Sequence, residues 1–293
     1  MRTACVHWML LSPLVCDAAA PAADAGVVRE TVVPAVVVTA QRPAREQQVR
    51  EFVADLTRRV DDEQSPPLWH RRVCPLAAGF TRDQGEYVLQ RLSQVALAVG
   101  APLDQSQCRP NLYVILTDDP ESFLASWRGR VPTIFRGASQ AEIERFVTTA
   151  RPVRVWHVAG RIGADGEALV RGDIGGAVPA TGRLPNSRLE RGTVLELRAV
   201  VVVIDAGLVR GRPLAQLVDY VAMVGLAELR NDRSSAGAAT VLAVFDESGG
   251  AAGEPAGLTD WDLAFLKALY GADPKAALQR ALVVDSMLRE LGH

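Results

Sequence analysis

Six consecutive apolar residues, Ala199-Val200-Val201-Val202-Val203-Ile204, constrain the fold more than any other stretch of the chain. A strand that faces water on one side alternates apolar with polar residues, whereas a strand buried on both sides reads as an unbroken apolar run. Branching at Cβ also restricts χ1 for the valines and the isoleucine, which favours strand over helix. The run predicts a strand over 195–205 at the centre of a sheet. Further strands are predicted over 111–117 (NLYVILT), over 153–159 and, shorter, over 240–245.

Around these strands the local signals are helical. Residues 46–60 place Val49, Phe52, Val53 and Leu56 on one face. Thr81 with Gln84 makes a capping box for a helix to Val99, with Val88, Leu92, Val95 and Val99 as its apolar stripe and Gly100-Ala101-Pro102 as its stop. Asp119-Pro120 supplies an N-cap and an N1 proline for a short helix to Trp127. Ser139 and Glu142 form a second capping box for a helix through Thr148. Pro213 opens a helix to about Leu229, Thr259 with Asp262 at N3 caps one over 260–270, and Asp273-Pro274 starts the last, to about Leu291. This order predicts an α+β fold: a central mixed sheet of four or five strands packed with helices, and a helical C-terminal third. Residues 161–192, rich in Gly, Pro, Asn and Ser, read as a long loop with a hairpin and as a candidate binding surface. Residues 231–236 and 249–257 read as loops.

The first 25 residues read as a secretory signal peptide. Arg2 gives a positive n-region, 4–16 an apolar stretch too short to span a bilayer, and Ala23-Asp24-Ala25 a small-x-small cleavage site. Residues 26–44 read as a flexible tether and 45–293 as a single globular domain. Within the tether, Val36-Val37-Val38-Thr39-Ala40-Gln41-Arg42 resembles the TonB box near the mature N-terminus of outer-membrane receptors. Such a box is an extended peptide that adds a strand to a partner's sheet. An ordinary edge strand is the alternative reading, and the chain is too short for the barrel of such a receptor.

Export predicts a periplasmic, oxidising environment. Cys5 and Cys16 leave with the signal peptide, and the remaining pair, Cys74 and Cys108, is expected to form a disulfide. A formal net charge of −2 gives no electrostatic reason to expect nucleic acid or an anionic membrane as a partner. Lys267 and Lys275 are the only lysines, and the arginines that make up the rest of the basic residues are dispersed rather than gathered into a patch.

Two stretches carry a resemblance: 214–226 (LAQLVDYVAMVGL) and 258–270 (LTDWDLAFLKALY). With the order of elements from 111 to 271, they resemble uncharacterised secreted proteins of Gram-negative bacteria that have a remote likeness to zincin-type metallopeptidases. The resemblance implies that 214–226 stands where such a family places its metal-binding helix and that 258–270 is a helix downstream. Zincin chemistry needs HExxH, in which two histidines one turn apart share a helix face and bind zinc while the glutamate between them is the general base. Laid on this helix, the histidine positions fall at Asp219 and Met223 and the base at Tyr220, so the motif is degenerate. The histidines left after His7 departs with the signal are His70, His157 and His293, and none has another at i, i+4. No metal, no cofactor and no catalytic residue are expected on this reading, which is that of a pseudoenzyme.

Other chemistries find little support. There is no GxSxG elbow, P-loop or GxGxxG. Asp118 and Asp119 make a carboxylate pair at a strand end, although Asp119 is accounted for as an N-cap. Trp156 and His157 are adjacent on a strand and face opposite ways, one to core and one to surface. His70, beside Trp69, Arg71 and Arg72, reads as a loop residue near the cysteine bridge. The Asp219/Met223 stripe reads as core packing plus one solvated aspartate. The expectation is a periplasmic, non-catalytic binding or scaffold protein whose partner is another protein or a cell-envelope component. Its alternatives are a metal-independent hydrolase using Asp118, Asp119 or Asp219, and a TonB-system partner acting through Val36 to Arg42.

Overall fold

The computed structural model describes residues 35–57, 66–104, 107–171, 177–179, 192–229, 238–245, 254–274, 276 and 279–292. The expected signal peptide, the loops 231–236 and 249–253, and His293 lie outside the described residues.

The apolar run lies where its composition requires. Four strands form one mixed sheet: β1 (Pro75–Ala78), β2 (Leu112–Thr117), β3 (Val153–Gly163) and β6 (Thr193–Asp205), in the order β1-β2-β6-β3. β6 is flanked on one side by β2, parallel from Leu112↔Val200 to Thr117↔Asp205. On its other side it pairs antiparallel with β3 along the full length of both, with a register shift at Val158/Ala159. β1 runs parallel to β2 at the far edge. Within β6, Val200, Val202 and Ile204 enter one core while Val201 and Val203 enter the other, and none of the five is more than 1% exposed. Each such burial stabilises by about 1.5–3 kcal/mol.

The larger core is built from α1 (Ala35–Leu56), α2 (Arg82–Val99), α5 (Leu214–Leu226), α6 (Asp260–Gly271) and α7 (Gln279–Leu291). The smaller is built from α3 (Pro120–Arg130), a 3₁₀ turn (Pro132–Phe135) and α4 (Gln140–Thr148). Strand periodicity carries Trp156 into the smaller core, where its ring stacks at 5.1 Å from both Phe135 and Phe146. Leu112 and Val114 point the other way, under α2 and α5. All three capping boxes form: Thr81 with Gln84, Ser139 with Glu142, and Thr259 with Asp262. Gly100 ends α2 at φ 80°, in the left-handed region, where its N–H reaches the carbonyls of Ala96 and Leu97.

Cys74 and Cys108 are joined by a disulfide with a Cα–Cα distance of 6.0 Å, in the ordinary range for such bridges. The bridge spans α2, and Asn111 reinforces it by accepting the Cys74 N–H at 2.7 Å while donating its own N–H to the Cys74 carbonyl. Reduction is expected to lower stability by about 2–4 kcal/mol. Denaturant titrations with and without reductant measure this, and coincident curves would show that the bridge contributes nothing.

Several expectations need correction. α1 begins at Ala35, so the helix takes in much of the expected tether, and Val36 to Arg42 is helical rather than extended. The stretch 35–56 has no glycine and a single proline, and the anchored turns bearing buried Val49, Phe52, Val53 and Leu56 serve as a nucleus from which helix propagates backwards. The short strand over 240–245 is instead a 3₁₀ turn, Val241–Phe245. The last helix starts at Gln279: Asp273-Pro274 opens a turn closed by the Ala276 N–H on the Asp273 carbonyl, a use that suits Asp-Pro equally well. β1, which has no clear strand pattern, joins the sheet unannounced. In the expected loop 161–192, β3 claims residues 161–163, and β4 (Leu169–Arg171) pairs antiparallel with β5 (Ala177–Pro179) as the hairpin. Residues 172–176 and 180–191 lie outside the described residues. No helix among the described residues is long and apolar enough to cross a membrane.

Candidate functional site

The site is best built from α5, because 11 of its 13 residues are buried. Its last carbonyls have no partners within the helix. Three side chains from other elements supply them: His157 Nε2 donates to Val224 O at 2.8 Å, Trp69 Nε1 to Gly225 O at 2.8 Å, and the Tyr270 hydroxyl to Leu226 O. Burial pushes the Tyr270 phenol up, so it remains a donor. Of the adjacent pair expected to split between core and surface, Trp156 takes the core side, and His157 is half-buried and engaged rather than free on the surface.

Asp219 requires the largest correction. It is not a solvated aspartate but a buried one, 5% exposed. Arg91 of α2 grips it through both oxygens, Nε to Oδ1 at 2.6 Å and Nη2 to Oδ2 at 3.0 Å. The Leu258 N–H donates to Oδ2 at 2.9 Å. The Asp219 hydrogen bond raises the Arg91 pKa above its already high ordinary value, so the guanidinium stays charged. Gly257 passes so close that an added Cβ would lie 2.4 Å from Asp219 Oδ2, which only glycine avoids. One turn back on α5, Gln216 Nε2 donates to Pro255 O at 2.6 Å, and Arg212 pairs with Glu254. α5 thus holds segment 254–258 against its exposed edge, and that segment leads into α6.

The other two degenerate-motif positions are used for packing. Tyr220 stacks edge-on to Phe245 with ring centroids 4.8 Å apart, and Met223 is fully buried. Among the described residues no three His, Cys, Asp or Glu side chains are placed to share a metal ion.

Between α2 and α5 lies a cleft of about 330 Å³, lined by Tyr87, Gln90, Arg91, Gln94, Ala215 and Asp219. Gln90 and Gln94 are exposed, one turn apart, and Arg91 between them is 35% exposed on its side chain. The Tyr87–Gln90–Gln94 face of α2 matches no motif, and the dominant signal of that segment is its apolar stripe. The available signal was that 87, 90 and 94 recur at helical spacing without a charge.

Asp118 and Asp119 do not line this cleft. Both are exposed where β2 gives way to α3, against the opposite face of the sheet from α5. Asp119 caps α3 by accepting the Ser122 N–H at 3.0 Å. Hydrogen bonds from Ser122, side chain first and then backbone, hold its carboxyl below the usual 3.8. A depressed pKa means the cap contributes fully above the ordinary carboxylate range and is lost as pH falls through the lowered value. The α3 amides, with Ser122 foremost, are expected to lose exchange protection only below the ordinary range. NMR titration of Ser122 at ordinary carboxylate pH would contradict this. His70 is exposed beside buried Trp69, near Arg71, whose guanidinium pairs with buried Glu196 at 2.5 Å.

The fold and site define an α+β protein with a disulfide-tied helix and a polar cleft beside a buried ion pair. No protein-family model, no curated protein and no solved structure matches the chain.

Proposed function

We propose that the chain is a non-catalytic binding protein of the periplasm, exported by its N-terminal segment, on a zincin-like scaffold without metal chemistry, with the α2–α5 cleft as its recognition surface. The observation that carries this reading is the Arg91–Asp219 pair. Asp219 stands where the first metal-binding histidine of such a scaffold would be, and its oxygens already accept three N–H groups. A carboxylate engaged in this way is open neither as a general base nor as a metal ligand. Tyr220 and Met223 have no free role either, since both are packed into the core. The exposed polar wall of α2 is open to a partner, and the disulfide fits an oxidising compartment.

Elemental analysis of protein purified without chelator tests the reading. No stoichiometric zinc is expected; one tightly held zinc per chain would overturn it.

A further inference from the structure

We infer that the α2–α5 cleft takes an uncharged glycan bearing hydroxyl and acetamido groups, the chemistry of an N-acetylated amino-sugar polymer. The inference rests on the reading of this cleft as a recognition surface and adds the ligand class.

Charge is the first argument. The two ionic side chains in the lining, Arg91 and Asp219, neutralise each other at 2.6 Å and 3.0 Å. Tyr87, Gln90, Gln94 and Ala215 bring no charge of their own. A phosphate or carboxylate ligand would compete with Asp219 for Arg91, and a cationic ligand would compete with Arg91 for Asp219. An anion that displaced Asp219 would leave that buried carboxylate without its main partner, at high cost, and a cation drawn to Asp219 would meet the Arg91 charge beside it.

Hydrogen bonding is the second. The Gln90 and Gln94 amides each offer two donors and an acceptor, and Tyr87 adds a hydroxyl that can do both. Arg91, bound through its Nε and Nη2 edge, keeps its Nη1 hydrogens for another acceptor. This set suits groups that donate and accept at once, as sugar hydroxyls and acetamides do. Tyr87 is 37% exposed and gives the one aromatic surface in the lining, on which the apolar face of a pyranose ring can rest.

The walls supply the third. Both are helices rather than strands, so a peptide would find no open strand edge to extend here. The volume of about 330 Å³ is near the lower end for ligand clefts and suits a short saccharide segment.

The test is titration of the full-length oxidised protein with an N-acetylglucosamine tetramer, followed calorimetrically and by the amide shifts of α2. Saturable binding is expected, weakened by about tenfold or more in Gln90→Ala/Gln94→Ala. Both glutamines are exposed, so the thermal midpoint of that variant should be unchanged. Tyr87→Phe should keep most of the affinity and Tyr87→Ala should lose it. A glucose tetramer, which lacks acetamido groups, should bind more weakly. Absence of saturation, or equal affinity in the glutamine double variant, overturns the inference. Saturation by an unrelated peptide instead, lost in the same variant, overturns the glycan class and leaves the binding reading standing. Cleavage of the bound tetramer supports glycan recognition and overturns the non-catalytic reading.

Discussion

Replacing Arg91 with alanine is expected to destabilise the protein by about 3 kcal/mol, the low end for a broken buried ion pair. The cost comes less from the lost attraction than from Asp219, left 5% exposed with a single N–H donor, that of Leu258. The adjoining cleft lets some water reach the stranded carboxylate, which is why the low end applies. Arg91→Lys should fall between, because an ammonium keeps the charge but not the two-pronged geometry. Replacing both partners with apolar residues of similar size should recover much of the loss. Thermal unfolding of the parent, of single apolar replacements at Arg91 and at Asp219, and of the double variant closes the cycle. If Arg91→Ala unfolds within a degree of the parent, the pair is a surface contact and Asp219 does not depend on Arg91.

Asp262→Ala is expected to cost a similar amount, about 3–4 kcal/mol, by a different route. Asp262 is wholly buried and accepts four hydrogen bonds: from the Thr240 hydroxyl, from Val241 N–H at 2.8 Å, and from the Thr259 N–H and hydroxyl at 2.9 and 3.0 Å. Burial pushes its carboxyl up even against these four donors, so the site depends on its hydrogen bonds rather than on a charge partner. Alanine removes the capping box of α6 and unpins residues 240–241 in one step. Asparagine, which keeps one acceptor oxygen, should cost clearly less than alanine. Hydrogen exchange distinguishes this from general loosening: the first turn of α6 and Val241 should lose protection before β6 does. Uniform loss across the sheet would argue against a local pin.

How much of this was legible in the sequence depended on distance along the chain. The capping boxes at Thr81, Ser139 and Thr259 are contacts between residues three apart, and all three were read correctly because nothing distant has to cooperate. The apolar run 199–204 was legible because burial on both faces leaves no polar residue to hide the pattern. β1 was not: Pro75-Leu76-Ala77-Ala78 has little strand character and pairs only because β2 offers it an open edge. Residues 240–245 looked like a strand until Asp262, some twenty residues on, drew Thr240 and Val241 into a tight turn. The cleft was the least legible part. Arg91 and Asp219 are 128 residues apart, and no local pattern marks an aspartate on an apolar helix as paired rather than solvated.

The place of β6 has a consequence for how the chain assembles. The strand at the middle of the sheet is the last of the four to be synthesised, and it must enter between β2 and β3, which end and begin 36 residues apart. Until residue 205 is available, β2 and β3 each present a bare inner edge with apolar residues on both sides, the kind of surface that seeds aggregation. The sheet therefore closes through contacts far apart in the chain, which slows folding. A chain of this design gains from being held unfolded until all four strands are available.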